Sequence, residues 1–231
     1  MRIIFVRHGD PNYGKDILTP LGHAQAEAAG KRLSDEKVQR IYSSPCGRAL
    51  ETAEHIAEWV KFPKEEITVL PFMREIAWGA TEGEELYLKG HPWYLVDHMI
   101  ENGKSIIDGT WREDDFFKRN QATAICENVG KEFDRFLCEL GFCREGDYYR
   151  VGEAIDGTVV LTSHGGSSSA VLAHIFNMPL PFILNFIHPE MTAITVISFE
   201  GEKGKLTAPR VEILNDARHI EGVSSENVFG N

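Results

Sequence analysis

Met1-Arg2-Ile3-Ile4-Phe5-Val6-Arg7-His8-Gly9 opens the chain, and Thr158-Val159-Val160-Leu161-Thr162-Ser163-His164-Gly165 repeats its form far downstream. Each is a short run rich in β-branched and apolar residues, the pattern of a buried strand, and each stops on His-Gly. A strand ending on Arg7 and His8 delivers both to the end of a sheet, where open α/β sheets place their ligand sites. There a histidine can act as nucleophile, and an arginine beside it can hold the phosphate it attacks. A strand-end His-Gly can also do no more than turn the chain. Two such ends in one α/β chain favour a shared site, with His8 and His164 side by side.

Strand-like and helix-like segments alternate around these two runs. Asp10–Ile17 is a polar Pro/Asn/Gly loop, and Thr19-Pro20 then supplies an N-cap and a first-turn proline. Leu21, Ala24, Ala28 and Leu33 follow at helical spacing, predicting a helix over Pro20–Leu33. Val38–Tyr42 reads as a second strand. Ser43-Ser44-Pro45 repeats the cap-plus-proline signal, with Ser44 as the cap, and Ala49, Ala53, Ile56, Ala57 and Val60 form the stripe of a second helix. Ile67–Leu70 is a third strand. The alternation points to an α/β fold.

Glu75 to about Asp115 breaks the rhythm with glycine, charge and the aromatics Trp78, Tyr87, Trp93, Tyr94 and Trp111. It reads as an insertion over one end of the sheet, long enough to act as a lid. Phe116–Leu140 returns to one helix, and Gly141–Gly157 reads as a connector. Ser167–Phe176 reads as a helix, Ala193–Phe199 and Val211–Leu214 as late strands, and Gly222–Asn231 as a frayed polar tail.

The chain has 231 residues, 42% of them hydrophobic, enough for a sizeable core, and a net charge of −11. Its pI is near 5.3. Such acidity argues against a nucleic-acid binder or adsorption to an anionic membrane, while an anionic substrate requires a local positive pocket. No apolar run approaches the ~18 residues of a membrane span, and no charged-then-apolar leader opens the chain. A cytoplasmic protein is expected. Cys46, Cys126, Cys138 and Cys143 match neither a CxxC pair nor a Cys/His zinc spacing, so free thiols in a reducing compartment are expected. Nothing in the pattern specifies an oligomeric state.

Arg48 falls in the first turn of the second helix, and its side chain leans back toward the sheet end from which Arg7 emerges. The helix N-terminus adds partial positive charge there. Alone, Arg48 reads equally well as a solvated arginine.

Five motifs in order carry a resemblance. They are Arg7-His8-Gly9, Leu18-Thr19-Pro20-Leu21-Gly22-His23-Ala24-Gln25-Ala26, Ser43-Ser44-Pro45-Cys46-Gly47-Arg48-Ala49-Leu50-Glu51-Thr52-Ala53, Arg74-Glu75-Ile76-Ala77-Trp78-Gly79-Ala80-Thr81-Glu82-Gly83 and Ser163-His164-Gly165. Together they resemble the histidine phosphatase superfamily, also called phosphoglycerate mutase-like. Tyr87–Asp115 and the tail lie outside the motifs.

The resemblance implies a three-layer αβα sandwich with a mostly parallel central sheet. It also implies one domain over residues 1–231, with a lid-like insertion at about 80–150 covering the active site. On the same resemblance, His8 would be the nucleophile and become a transient phosphohistidine. Arg7, Arg48 and His164 would surround the phosphoryl group, with Gly165 beside them, and Glu75 would serve as general acid and then base. No metal or other cofactor is required, because guanidiniums take over the charge clamp.

His8 has to present a neutral nitrogen. A carbonyl near Gly9 would fix its tautomer, and repulsion from three nearby cations, a protonated His164 among them, would keep it unprotonated. Burial beside Trp78 would raise the Glu75 pKa and the cations would lower it. Many family members carry a phosphate-binding asparagine seven residues after the motif arginine. Here that position is Gly14, and Asn12 either takes the role or is a turn residue.

The expected activity is hydrolysis of a small-molecule phosphomonoester, with Trp93, Tyr94, Trp111 or Phe116 shaping the leaving-group pocket. Phosphoryl transfer of the phosphoglycerate mutase type and non-catalytic binding of phospholigands are the alternatives. A mutase needs a strongly basic enclosure for a second phosphate and a carboxylate. Lys89, Lys104, Arg112, Lys118 and Arg119 in the insertion are outnumbered by acidic residues.

Overall fold

Side-chain alternation in the opening strand divides the molecule into layers. The computed structural model describes residues 1–224. In β1 (Arg2–Arg7) Ile3 and Phe5 face one way and Ile4 and Val6 the other, and all four are buried. Ile4 and Val6 pack with Ala29 and Leu33 from the first helical segment and Ala53, Ile56 and Ala57 from the second. Ile3 and Phe5 belong to a larger cluster on the opposite face with Phe133, Phe136 and Val171.

The strands are β1, β2 (Pro11–Asn12), β3 (Ile17–Leu18), β4 (Val38–Ser43), β5 (Thr68–Val69), β6 (Phe142–Glu145), β7 (Tyr148–Val151), β8 (Thr158–Ser163), β9 (Ile194–Ser198), β10 (Leu206–Thr207) and β11 (Arg210–Asp216). The helices are α1 (Pro20–Arg32), α2 (Gly47–Val60), α3 (Pro92–Glu101), α4 (Asp115–Lys118), α5 (Gln121–Glu139), α6 (Gly165–Ile175) and α7 (Leu180–Phe186). The central sheet runs β11-β9-β1-β8-β4-β5. β1, β8, β4 and β5 are mutually parallel, and β9 is antiparallel to both β1 and β11. This is the expected α/β sandwich with a mostly parallel sheet, α1 and α2 on one face and α5 and α6 on the other.

Three local expectations need correction. Gly141–Gly157 is not a plain connector: β6 and β7 form an antiparallel hairpin there, joined by Gly146-Asp147, and β10 pairs on β7. The helix expected over Phe116–Leu140 is interrupted at Arg119-Asn120. Buried Asn120 caps α5 by accepting from the Ala122 amide at 3.0 Å, and its side-chain amide donates to the Gly90 carbonyl at 2.7 Å. Cys138 and Cys143 are joined in a disulfide, which ties the end of α5 to β6, while Cys46 and Cys126 are buried free thiols. The free-thiol expectation therefore fails for one pair, whose spacing of five matches no short motif.

The tail read at Gly222–Asn231 lies outside the described residues from position 225 onward. Among the described residues, no helix is long and apolar enough to cross a membrane.

Candidate active site

β1 and β8 are adjacent and parallel with Arg7 opposite Ser163, so the next residue of each strand, His8 and His164, emerges at the same sheet edge. Their rings lie 5.1 Å apart, and both residues are buried. Gly9 lets the chain leave that edge. A Cβ on Gly9 would stand 2.4 Å from the Gly22 carbonyl oxygen, and one on Gly22 would stand 2.2 Å from the Asp10 oxygen. The backbones of two motif glycines thus pack directly against each other, which seats α1 beside the site.

The His8 ring has a defined tautomer. Its Nδ1 lies 2.7 Å from the Gly9 carbonyl oxygen, an acceptor only, so the proton sits on Nδ1 and Nε2 carries the lone pair. Arg48 Nε donates to that Nε2 at 3.2 Å. The imidazole pKa falls from 6.5 to about 3, first because of burial and then through Arg48 and Arg7, with the Gly9 carbonyl opposing. Burial, more than the expected repulsion among cations, keeps His8 neutral.

His164 departs from its expected charge. Burial comes first, followed by His8, Arg48, Arg7 and Arg74, and together they hold its pKa far below the ordinary value. It is a neutral ring. Nδ1 accepts from Arg48 Nη2 at 3.1 Å, so the proton is on Nε2, which donates to Ser44 Oγ at 2.7 Å. Ser44 is accordingly not the helix cap. α2 begins at Gly47 after Cys46, and Ser44 Oγ accepts the Cys46 amide at 3.2 Å while serving His164. Arg48 remains in the first turn of α2, as expected.

Arg7 donates to the Pro189 carbonyl through Nη1 at 2.5 Å, but its Nε is buried without a partner among the described residues. A buried donor left open costs free energy unless an acceptor arrives. Gly165 opens α6 beside it: a Cβ built there would lie 3.9 Å from Arg7 Nε and 3.8 Å from the Trp93 ring.

Glu75 approaches the same helix N-terminus, with Oε1 accepting from Ser167 N at 3.2 Å and from Ile76 N at 2.9 Å. Burial raises its pKa. The two amides, Arg7 and Arg48 pull the other way, and burial wins. That answers the question the sequence left open.

The structure therefore brings Arg7, His8, Arg48, Glu75, His164 and Gly165 together. Asn12 is not joined to them: it is exposed, and its Oδ1 accepts from the Lys15 amide at 3.2 Å within a turn. The residue that loop does send to Arg48 is Asp16, whose Oδ1 lies 2.5 Å from Nη1. Sequence reasoning missed Asp16, because one acidic residue in a polar loop carries no spacing signal.

Trp78, Trp93 and Tyr94 gather around His91, with ring centroids 4.6, 5.6 and 4.4 Å from it. Trp111 and Phe116 lie elsewhere. Trp111 packs on Phe117 and lines, with Cys126, Ala170 and His174, a cavity of about 440 Å³ that none of the clustered residues borders. Phe116 packs against the tilted ring of Tyr87 and edge-on against His98.

The protein "Putative phosphoserine phosphatase 2" of Hydrogenobacter thermophilus is 27% identical over 214 residues, spanning 89% of this chain and 93% of its own length. Phosphoglycerate mutase-like protein 4 of Arabidopsis thaliana is 25% identical, spanning 95% and 86%. A phosphoserine phosphatase variant from Entamoeba histolytica, solved with phosphoserine, superposes with a TM-score of 0.63 at 19% identity, covering 95% of this chain and 98% of its own. Mycobacterial glucosyl-3-phosphoglycerate phosphatase, solved with VO3, gives 0.60 at 20% identity, covering 93% and 98%. At those identities the structures speak for the fold.

The model of the histidine phosphatase superfamily (branch 1) matches residues 3–124 and 150–211. It takes in Tyr87–Asp115, which the five motifs leave out, and omits most of α5 and the β6–β7 hairpin. Because that match runs through both histidine-bearing strand ends and through Arg48 and Glu75, the chain belongs to the histidine phosphatase superfamily, branch 1.

Proposed function

We propose that the protein hydrolyses small phosphomonoesters through a phosphohistidine on His8. The observation that carries this is the state of one ring: His8 is buried and neutral, with Nδ1–H fixed by the Gly9 carbonyl and Nε2 unprotonated, its lone pair accepting from Arg48 Nε until a phosphoryl oxygen takes that donor and leaves Nε2 to phosphorus.

In the first step the Nε2 lone pair forms a bond to phosphorus as the ester P–O bond breaks, and the leaving oxygen takes a proton from the Glu75 carboxyl. In the second, Glu75 accepts a proton from water, whose oxygen bonds to phosphorus as the P–N bond breaks, releasing inorganic phosphate. Arg7 and Arg48 neutralise the equatorial oxygens, which is where phosphoryl transfer gains most. The open Arg7 Nε is a donor ready for one of them. The Glu75 pKa, raised by burial, suits a group that must hold a proton until the leaving oxygen needs it.

Trp93 gives the leaving group an aromatic wall beside Arg7 and Gly165, with His91, Trp78 and Tyr94 clustered behind it. A wall of that kind suits an organic group better than a second phosphate. This favours hydrolysis over the mutase reaction, for which a basic enclosure is required.

Relatives named as phosphoserine and glucosyl-3-phosphoglycerate phosphatases put phosphorylated hydroxy acids first in a substrate panel. The test is steady-state phosphate release over that panel, with acid-quench trapping of phosphoprotein. Wild type should form acid-labile phosphohistidine, and His8→Ala should form none and lose turnover. Isomerisation of 3-phosphoglycerate well above phosphate release would overturn the phosphatase reading.

A further inference from the structure

Arg48 uses three of its donor positions inside the protein. Nε meets His8 Nε2 at 3.2 Å, Nη2 meets His164 Nδ1 at 3.1 Å, and Nη1 meets Asp16 Oδ1 at 2.5 Å. Nε and Nη2 share one edge of the guanidinium plane, and Nη1 is the remaining corner. The bidentate edge therefore faces the two imidazoles, where the phosphoryl group must sit, while the far corner is held by a carboxylate.

Asp16 is itself held firmly. Its Oδ2 accepts the Gly47 amide at 2.9 Å, at the N-terminus of α2, where the helix dipole favours an anion. Its backbone is left-handed, at φ 55°. The loop lies so close on α2 that a Cβ on Gly47 would stand 2.2 Å from the Asp16 carbonyl oxygen. The loop exit is tied down as well, with Leu18 N donating to Glu51 Oε2 at 2.6 Å, and the Tyr13 ring covers the guanidinium at 5.3 Å. Arg48 is buried, whereas the Asp16 side chain is 42% exposed, at the rim.

We propose that Asp16 is a positioning residue for Arg48: it grips Nη1, aims the Nε–Nη2 edge at the phosphoryl group, and moderates the hold on phosphate so that product can leave. Resting on the phosphatase reading, the proposal adds to the known cluster a group that touches neither phosphorus nor leaving oxygen. The charge argument is direct. Two arginines facing a dianion at a site buried from water bind it tightly, and a carboxylate on the far corner offsets one of those charges. The orientation argument is independent of charge, because an asparagine at position 16 keeps the acceptor and loses the anion.

The experiment pairs Asp16→Asn, Asp16→Ala and Gly47→Ala with two readouts. The first is kcat and KM for p-nitrophenyl phosphate. The second is binding of inorganic phosphate by calorimetry, which reads the arginine clamp whether or not the protein turns over. With folding verified by circular dichroism, Asp16→Ala should lose tenfold or more in kcat. Gly47→Ala should lose as much, because its Cβ lifts the loop without altering any charge. Asp16→Asn should keep most of kcat and bind phosphate several-fold more tightly.

Folded alanine variants with wild-type kcat and wild-type phosphate affinity would overturn the proposal. So would a rise in kcat/KM in all three, which would make Asp16 a plug that competes with substrate. Failure of the phosphatase reading looks different: wild type itself would release no phosphate and form no phosphohistidine.

Discussion

Ser44 Oγ lies 2.7 Å from His164 Nε2, linking the ends of the neighbouring parallel strands β4 and β8. The contact fixes more than distance. Because Arg48 donates to the other nitrogen of that ring, His164 must carry its proton toward Ser44. A serine that reads in sequence as a helix cap therefore sets a histidine tautomer.

Ser44→Ala removes the only acceptor that the described residues offer that buried N–H. Leaving a buried donor unsatisfied costs about 1–3 kcal/mol. The variant should lose stability of that order in urea unfolding. It should also lose activity, because a ring freed to flip no longer accepts from Arg48. Nitrogen NMR of the imidazole should show the Nε2–H form in wild type and a mixture in the variant. An unchanged tautomer would contradict this account.

The pH dependence of stability follows from the two buried rings. An unfolded histidine takes up its proton near 6.5, whereas folded His8 resists until about 3 and folded His164 also stays neutral far below its ordinary value. Below 6.5 the unfolded chain binds more protons, so stability falls as pH falls. Each ring adds a slope of up to about 1.4 kcal/mol per pH unit. Glu75 opposes this between its ordinary 4.5 and its raised folded value, where the folded state binds the extra proton. Urea midpoints from pH 7 down to pH 5 should therefore fall less steeply in His164→Gln than in wild type. Parallel curves would show that His164 takes up its proton in the folded protein at the same pH as in the unfolded chain.

Much of this arrangement was legible in the sequence because it depends on strand ends. An apolar run that stops on His-Gly fixes where the side chain emerges, and the caps and stripes of α1 and α2 set the alternation. What stayed hidden depends on tertiary contact. Whether burial or cations govern Glu75 is decided by the N-terminus of α6, which the chain reaches about ninety residues later. Asp16 matters only because its loop folds back on α2. The β6–β7 hairpin is a different kind of miss: Gly146-Asp147 between two strand-like runs is a local turn signal that a connector reading passes over.

Two tryptophans of the same segment should separate cleanly by experiment. Trp111 is 2% exposed and packs on Phe117, away from the clustered residues. Trp111→Ala should cost about 3–5 kcal/mol of stability and leave KM largely unchanged. Trp93 is half-buried beside Gly165. Trp93→Ala should raise KM for aryl phosphates several-fold with a smaller loss of stability. Thermal unfolding together with KM for p-nitrophenyl phosphate distinguishes the two, and a KM effect confined to Trp111→Ala would reverse the assignment.

Glu75 gives the sharpest chemical test. Its Oε1 is anchored by the Ser167 and Ile76 amides, so Gln can occupy the place with one oxygen still accepting and no proton to transfer. p-Nitrophenolate leaves without a proton, whereas a serine or sugar alkoxide does not. Glu75→Gln should therefore reduce kcat/KM for alkyl phosphates about 10²–10⁴-fold and for p-nitrophenyl phosphate far less at the first step. In wild type, alkyl phosphate turnover should decline as pH rises through the raised Glu75 pKa, because the acid form is lost there. A log kcat/KM plot against leaving-group pKa should steepen in the variant. Parallel plots for the two proteins would mean that Glu75 only orders the N-terminus of α6.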